Sequence, residues 1–372
     1  MSPPPRPSRS HNSRKWFLDF GPPGRARPLV RPVLAIPPRS RVSVGTPFMQ
    51  AFVIAGNAFL ESIRQRVFTV LVCAGIGALV LNVNVAAFAF ADDNKLLVDL
   101  GLSTLLLTGL LLAGFTATGV IGREIENKTV LTVVSKPVPR PAVVLGKYLG
   151  VAGAILLAFW ILSVVFLLCV RHRVQSSVRD EDIFDVPVLT FGLLGGGGAL
   201  AIAALANYFY RRPFTSTFAV SLGTGLTLGL GIVAFISREW EAQHPLTDFD
   251  PQLLFALVLV LEAILVLAAV AVAASTRLSQ TATLLVCLGA FLVGLVSDYF
   301  LSLAAGADRQ WTAWTLPAAV VPNLQYFWMA DALTQGHPIT ADYVVWVTAY
   351  AGSMVVAFGG LAVLLFQDRD VG

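Results

Sequence analysis

Eight long apolar blocks take up most of the sequence between residues 67 and 366. Most are about as long as an α-helix must be to cross the hydrocarbon layer of a bilayer, roughly 20 residues at a rise of about 1.5 Å each. Continuous apolar blocks of this length are typical of helices, which satisfy their own backbone polar groups inside that layer. The sequence therefore predicts an all-α fold, a polytopic transmembrane helical bundle of about eight spans. The blocks cover residues 67–90, 101–121, 143–170, 187–206, 217–236, 253–274, 282–304 and 342–366.

The overall composition excludes a single water-soluble core. Hydrophobic residues make up 56% of the 372 residues and charged residues only 13%, against about 25% charged residues in a typical soluble protein. The three cysteines lie far apart inside apolar blocks, and the four histidines are scattered through the tail and the loops. No metal site, disulfide framework or cofactor is therefore predicted.

A polar tail precedes the first block. Residues 1–48 are rich in Pro, Arg and Ser and have no apolar periodicity, so we expect them to be disordered. Met49 opens a segment that would be a natural start for such a protein. One hypothesis is that translation begins at Met49 and that the preceding tail is not translated.

An amphipathic segment, residues 49–66, follows the tail. Phe52, Phe59 and Ile63 recur at spacings of seven and four, and polar side chains such as Asn57 fall largely on the other side. This pattern predicts a helix that lies in the cytoplasmic membrane interface before the chain turns inward. The transmembrane domain is then residues 67–372.

The basic residues predict the orientation in the membrane. With the N-terminus inside, the inner segments hold 20 Lys and Arg residues and the outer segments six. Without residues 1–48 the inner segments still hold 11. The positive-inside rule and an even number of spans place both termini in the cytoplasm of a multi-pass plasma (inner) membrane protein. The net charge of +4 is therefore assigned to topology, and no nucleic-acid partner is predicted.

Motifs for catalysis are missing from the sequence. The nearest approach to a phosphate-binding G-x-x-x-x-G-K-[ST] loop is Gly146-Lys147, which Tyr148 follows instead of Ser or Thr. No G-x-S-x-G or H-E-x-x-H motif is present either. The chain is therefore not predicted to be an enzyme, and any ATP hydrolysis is expected on a partner subunit.

Two acidic residues lie within the apolar blocks, Glu262 deep in the sixth and Asp298 near the end of the seventh. Because a charge at the bilayer centre costs about 2.5–3.5 kcal/mol on insertion scales, Glu262 is expected to face the bundle interior. There it would make an interhelical hydrogen bond or contact a substrate. Ion-coupled carriers usually need several such residues, and two are few.

The segment at residues 122–137 joins the second and third blocks on the predicted cytoplasmic side. Its first half can form a short helix, with Glu124 and Glu126 in the first turn, where the helix dipole favours anions. Pro137 and the two prolines after it forbid the continuation of that helix. We predict a rigid, charged helical lever between two membrane helices, suited to docking on a cytosolic protein.

This region resembles the coupling-helix region of ABC-2-type permeases, in particular the permease components of multicopper-enzyme maturation and gliding-type export systems. The pattern of that family runs roughly E-x-E-x-x-T, an apolar pair, S-x-P-x-x-R and then G-K. The chain departs from it at Lys128, where glycine is common, and at Val133-Val134, where leucines are common. The matching residues are Glu124, Glu126, Thr129, Ser135, Pro137, Arg140, Gly146 and Lys147.

The resemblance extends over nearly the whole chain from residue 49. The 49–66 segment is similar to the family's elbow helix, and Pro322-Asn323 before the last block is similar to its ending. The fourth and fifth blocks, residues 187–236, exceed the six-span core usual for the family.

The resemblance implies ATP-driven transport, in the export direction, by two permease subunits in the bilayer and two separate ATP-binding subunits. The second permease would be another copy of this chain or a paralogue. The ATP-binding subunit would dock on the 122–137 coupling helix, with Glu124 and Glu126 pairing with basic residues of that partner. The full predicted docking set is Glu124, Glu126, Asn127, Lys128, Thr129, Ser135, Lys136, Pro137 and Arg140.

Two other classes of function remain open at this point. A secondary carrier would need more titratable groups in the membrane or inverted repeats, and a non-transporting membrane scaffold would need no coupling lever. The glycines at residues 195–198, together with Gly225 and Gly229, are interpreted as sites of close helix packing.

Overall fold

The computed structural model describes residues 47–87, 93–122, 139–173, 185–245, 247–304 and 321–367. All of them belong to one compact unit, Gly45–Gly372. Within these ranges the chain is helical and contains no strand, only an isolated bridge between Ile236 and Ala242. The all-α fold predicted from the sequence is confirmed.

Ten α-helices occur in the described part of the chain. A π-helical turn, Thr118–Gly122, extends the third of them, and a 3-10 turn, Gln325–Phe327, precedes the ninth. The helices are α1 (Pro47–Arg64), α2 (Arg66–Ala86), α3 (Asp93–Ala117), α4 (Arg140–His172), α5 (Val186–Tyr210), α6 (Phe214–Ala234), α7 (Gln252–Ser275), α8 (Gln280–Ala304), α9 (Ala330–Thr334) and α10 (Ala341–Gln367).

The eight helices other than α1 and α9 are long and apolar enough to cross a membrane. Each corresponds to one predicted apolar block. The largest disagreement is at the start of α3, which begins at Asp93 rather than at residue 101. Hydropathy alone did not predict these first turns, because they contain polar residues such as Asn94 and Lys95. A helix can nevertheless continue beyond the hydrocarbon layer.

Three helices form the centre of the bundle. In an 18-residue apolar part of each helix, 67%, 61% and 56% of the residues are buried in α7, α4 and α3. The share is only 11% in α10 and 17% in α5. Two glycines of α3 allow the central helices to come close. A Cβ atom at Gly101 would lie 2.2 Å from the ring of Phe166 on α4, and one at Gly109 would lie 2.3 Å from Ile264 on α7.

Contacts between helix ends fall into two separate groups. One group joins α3, α4, α7 and α10 at the ends that the sequence places in the cytoplasm, and we call this the basic end. The bonds from Arg140 to Gln367 and from Arg277 to Leu365 belong to it. The other group joins α4, α5, α6 and the approach to α7 around Arg171, and we call this the opposite end. The two groups agree with a chain that crosses the membrane at every long helix.

The helix predicted at residues 49–66 is present as α1, which ends at Arg64 before a break at Gln65. The side of α1 that packs against α4 carries small residues. Phe52 is 55% exposed, whereas Ala51 and Ala58 are buried. Small residues face inward because α1 packs against glycines of α4, where a larger side chain would not fit. The predicted position of α1 in the membrane interface stays a prediction.

An irregular stretch, residues 321–329, which includes the 3-10 turn Gln325–Phe327, packs between α8 and α10. The Leu324 amide donates to the carbonyl of Gly294, ten residues before the end of α8, at 3.0 Å. The Asn323 amide donates to the Tyr350 hydroxyl at 2.8 Å, and both Leu324 and Phe327 are buried. Irregular backbone is tolerated at membrane depth where protein surrounds it, and these bonds satisfy two of its amide groups.

Candidate functional site

The predicted docking residues between 123 and 138 lie outside the described residues. The residues concerned are Glu124, Glu126, Asn127, Lys128, Thr129, Ser135, Lys136 and Pro137. Their predicted contacts with a cytosolic partner therefore stay predictions. The structure does describe the base of this segment, where the chain leaves α3 and enters α4.

The π-helical turn Thr118–Gly122 forms one side of the base. Lys147 of α4 donates from Nζ to the carbonyl oxygen of Val120 at 3.3 Å, and only 7% of Lys147 is exposed. A lysine that reaches the last turns of a neighbouring helix can donate to a carbonyl oxygen there. π-Turns are frequent at functional sites. Lys147 thus joins α4 to the last described turn after α3.

The residue before Lys147 makes a different contact. A Cβ atom at Gly146 would lie 2.7 Å from the carbonyl oxygen of Ala51 and 2.8 Å from Cβ of Ile54, both on α1. One turn further on, a Cβ at Gly150 would lie 2.4 Å from Cβ of Ala58. Helix α1 is therefore packed directly on the first turns of α4. Consecutive residues of the G-K pair connect α4 to two different elements.

Arg140, the last residue of the predicted docking set, lies at the start of α4. Its Nη1 donates to the carbonyl oxygen of Gln367 at 2.8 Å. A second arginine, Arg277 in the turn after α7, donates from Nε to the carbonyl oxygen of Leu365 at 2.8 Å. Both guanidinium groups complement the carboxyl end of α10. The base of the 122–137 segment is thus tied to α3, α1 and α10.

Glu262 on α7 lies next to Thr348 on α10. The Thr348 hydroxyl is 2.6 Å from Oε1 of Glu262 and 2.8 Å from its own helical acceptor, the carbonyl of Val344. Within the described part of the chain, Oε2 of Glu262 is buried and has no hydrogen-bond partner. The interhelical hydrogen bond expected from the sequence is present. Glu262 itself is half-buried. The side chain of Asp298 lies outside the described residues.

A buried ionic cluster at the opposite end was missed by the sequence analysis, which counted Arg171 as an ordinary loop charge. Arg171 at the end of α4 is 1% exposed. Its Nε donates to Oδ2 of Asp185 at 3.1 Å, and its Nη1 lies 3.0 Å from Oδ2 of Asp248. Nη1 and Nη2 also donate to the carbonyl oxygens of Val233 and Ile236 at 3.1 and 2.9 Å.

This cluster holds four parts of the chain together. Asp185 caps α5, because its Oδ1 accepts from the amide of Val188 at 3.2 Å. Asp248 also accepts from the side-chain amide of Gln243 at 2.8 Å. The sequence signal was the position of Arg171 and Asp185 directly beside apolar blocks, where a charge is close enough to the bundle to be buried. The cluster attaches the α5–α6 hairpin to α4 and to the loop before α7.

Metal binding finds no support in the described residues, among which no three His, Cys, Asp or Glu side chains converge. No protein-family model matches the chain. No curated protein matches it either. The eight apolar helices make it a multi-pass membrane protein.

Proposed function

We propose that this chain is the membrane-spanning permease subunit of an ABC transporter, of the ABC-2 type and acting as an exporter. The observation that carries the proposal is the ordered pattern from Glu124 to Lys147, which resembles the coupling region of that family. The geometry at its base supports this, because Gly146 and Lys147 both make specific contacts. A plain loop between two membrane helices would need neither the buried lysine nor the glycine contact with α1.

In this proposal two ATP-binding subunits dock on the 122–137 segments of two permease subunits. Their closure on ATP displaces each segment. The displacement passes to α3 through the Lys147–Val120 bond, to α1 through the contacts of Gly146 and Gly150, and to α10 through Arg140. Interfaces packed this closely move as units rather than deforming gradually. The spans then reorient and open the path to the other side.

The test is affinity purification of the full chain from its native membrane, followed by mass spectrometry and an ATPase assay. The proposal expects a stoichiometric partner with a Walker-A motif, and ATPase activity in the purified complex. Recovery of the intact chain without any ATPase would contradict it and would return the choice to a carrier or a scaffold.

The secondary-carrier alternative has one observation in its favour, the half-buried carboxylate of Glu262, whose Oε2 has no hydrogen-bond partner among the described residues. Ionisable groups inside spans commonly mark ion pathways. Among the described residues Glu262 pairs with Thr348 and with no second titratable group, so we place the carrier second.

A further inference from the structure

The α5–α6 hairpin, which exceeds the six-span core, forms one wall of a long groove. Helix α1 closes the groove at the basic end. The volume of the groove is about 820 Å³. On α6 the lining runs from Pro213 to Ile232, about 28 Å of helix. That length nearly equals the hydrocarbon layer of a bilayer, roughly 30 Å. An occupant of the groove therefore lies along the membrane normal.

Glycines create the space, in a way that the sequence analysis described only in part. Gly195, Gly225 and Gly229 do pack closely between α5 and α6, since a Cβ at Gly225 would lie 3.0 Å from the carbonyl oxygen of Gly195. Gly198 lines the groove instead, and a Cβ there would meet nothing within 4 Å. Gly197 is equally open but lies outside the lining. A Cβ at Gly196 would also meet nothing within 4 Å. The interpretation of the whole 195–198 run as a packing site was therefore wrong for Gly196, Gly197 and Gly198.

The interior of the groove offers little to a polar solute. Four hydroxyl residues of α6 line it, but each donates to a carbonyl of its own helix or of the residue before it. Their hydrogen-bonding capacity as donors is thus used within the protein. The residues concerned are Ser216, Thr217, Ser221 and Thr224. Most of the remaining lining is aliphatic or aromatic, including Phe59, Leu194 and Leu228.

The basic end of the groove is charged. Arg64, in the last turn of α1, and Arg212, before α6, both line it and are both exposed. Neither guanidinium is in a salt bridge with any residue that the structure describes. An occupant that complements this groove carries a negative group at one end and an apolar chain along the rest.

We propose that the groove binds an anionic phospholipid of the leaflet at the basic end. The phosphate lies between Arg64 and Arg212, and an acyl chain follows α6 past Gly198. Basic recesses between membrane helices are a known setting for anionic headgroups, and the apolar lining accounts for the chain. The α5–α6 hairpin would then serve to bind lipid, because it forms the lipid site together with helix α1.

The test measures lipid binding to the full chain, purified in detergent and stripped of lipid, by native mass spectrometry. The probes are phosphatidylglycerol, phosphatidylcholine with the same acyl chains, and inorganic phosphate alone. Wild type is expected to bind phosphatidylglycerol more tightly than phosphatidylcholine, and inorganic phosphate is not expected to compete. Equal binding of the two lipids would overturn the proposal. Competition by inorganic phosphate would point to a soluble anion and would overturn it as well.

Two matched pairs of variants locate the site. Gly198→Leu fills the groove and is expected to weaken binding of both lipids, whereas Gly197→Leu adds the same side chain outside the groove and leaves binding unchanged. Arg64→Gln with Arg212→Gln is expected to weaken phosphatidylglycerol binding about fivefold for each arginine and to remove the headgroup preference.

The control for the arginine pair is Arg66→Gln with Arg211→Gln, which removes the same charge near the same end but outside the groove lining. Equal binding by Gly198→Leu and Gly197→Leu would overturn the proposal. Loss of dimers in Gly198→Leu with unchanged lipid binding would show that a second copy fills the groove, and would also overturn it. If Gly198→Leu does not fold, the arginine pairs decide.

Discussion

Gly150 of α4 faces Ala58 of α1 so closely that no side chain fits between the two helices. A Cβ atom at Gly150 would lie 2.4 Å from Cβ of Ala58 and 2.7 Å from the carbonyl oxygen of Ala55. This contact decides which face of α1 is buried. It also gives the interfacial helix a fixed position on the helix that begins at the base of the 122–137 segment.

Gly150→Leu is therefore expected to separate α1 from α4 and to destabilise the protein, since overpacking typically costs about 1–3 kcal/mol. The measurement is the fraction of monodisperse protein that survives heating in detergent, followed by size-exclusion chromatography. Gly77→Leu on α2 is the matched control, because a Cβ at Gly77 would meet nothing within 4 Å. Equal losses in the two variants would contradict the close contact.

The Arg171 cluster predicts a large effect from one buried charge. Arg171→Met leaves the fully buried carboxylate of Asp185 without its main partner, and breaking a buried ion pair typically costs about 3–5 kcal/mol. The double change Arg171→Met with Asp185→Asn should cost less than the single one, because the fully buried carboxylate is removed with its partner and only the partly exposed Asp248 keeps its charge. Both are compared with wild type by the midpoint of thermal unfolding. A double variant less stable than Arg171→Met would contradict the ion-pair account.

Variants of Glu262 distinguish an ABC transporter from a secondary carrier. Glu262→Gln keeps an oxygen that can accept from Thr348, so folding should be unaffected, whereas Glu262→Leu should lose about 0.6 kcal/mol, the average for interhelical hydrogen bonds in membranes. Proteoliposomes with an imposed pH gradient and a pH-sensitive dye measure proton flux. We expect no flux in wild type or in Glu262→Gln. Flux in wild type that Glu262→Gln abolishes would support the carrier instead.

The orientation predicted from the basic residues can be tested by cysteine labelling. The starting chain has Cys73, Cys169 and Cys287 replaced by Ala, because all three are free thiols. Arg211→Cys lies at the basic end and Glu239→Cys at the opposite end. A membrane-impermeant maleimide should label only Glu239→Cys in intact cells and only Arg211→Cys in inside-out vesicles. The reverse pattern would place the basic end outside.

The sequence predicted the features that depend on residues close together in the chain. All eight spans follow from runs of apolar residues, and the ends of α7 are within one residue of prediction. It failed where a residue's environment depends on distant partners. Arg171 meets Asp185 and Asp248 through the packing of separate helices, and no spacing rule announces such a pair. The side of α1 that packs on α4 could not be predicted for the same reason, since it meets glycines of a distant helix.

The same distinction holds for the candidate site: its residues could be predicted, but their contacts could not. Glu124, Glu126 and the turn of prolines could be singled out because the pattern is contiguous, and the G-K pair was found with them. What Gly146 and Lys147 contact could not be predicted. Their partners, Ala51 and Val120, lie on other helices, and nothing in the pattern specifies which carbonyl a lysine will reach.

The most direct test of the account reverses the charges of the 122–137 segment in the purified complex. Glu124→Lys with Glu126→Lys should abolish binding of the ATP-binding subunit and the associated ATPase activity, while the size-exclusion profile of the permease stays unchanged. Glu239→Lys with Glu241→Lys is the control, since it makes the same reversal with the same spacing on an exposed loop at the opposite end. Loss of partner and activity in the first variant alone is the predicted result. Full retention of both in the first variant would contradict the central claim.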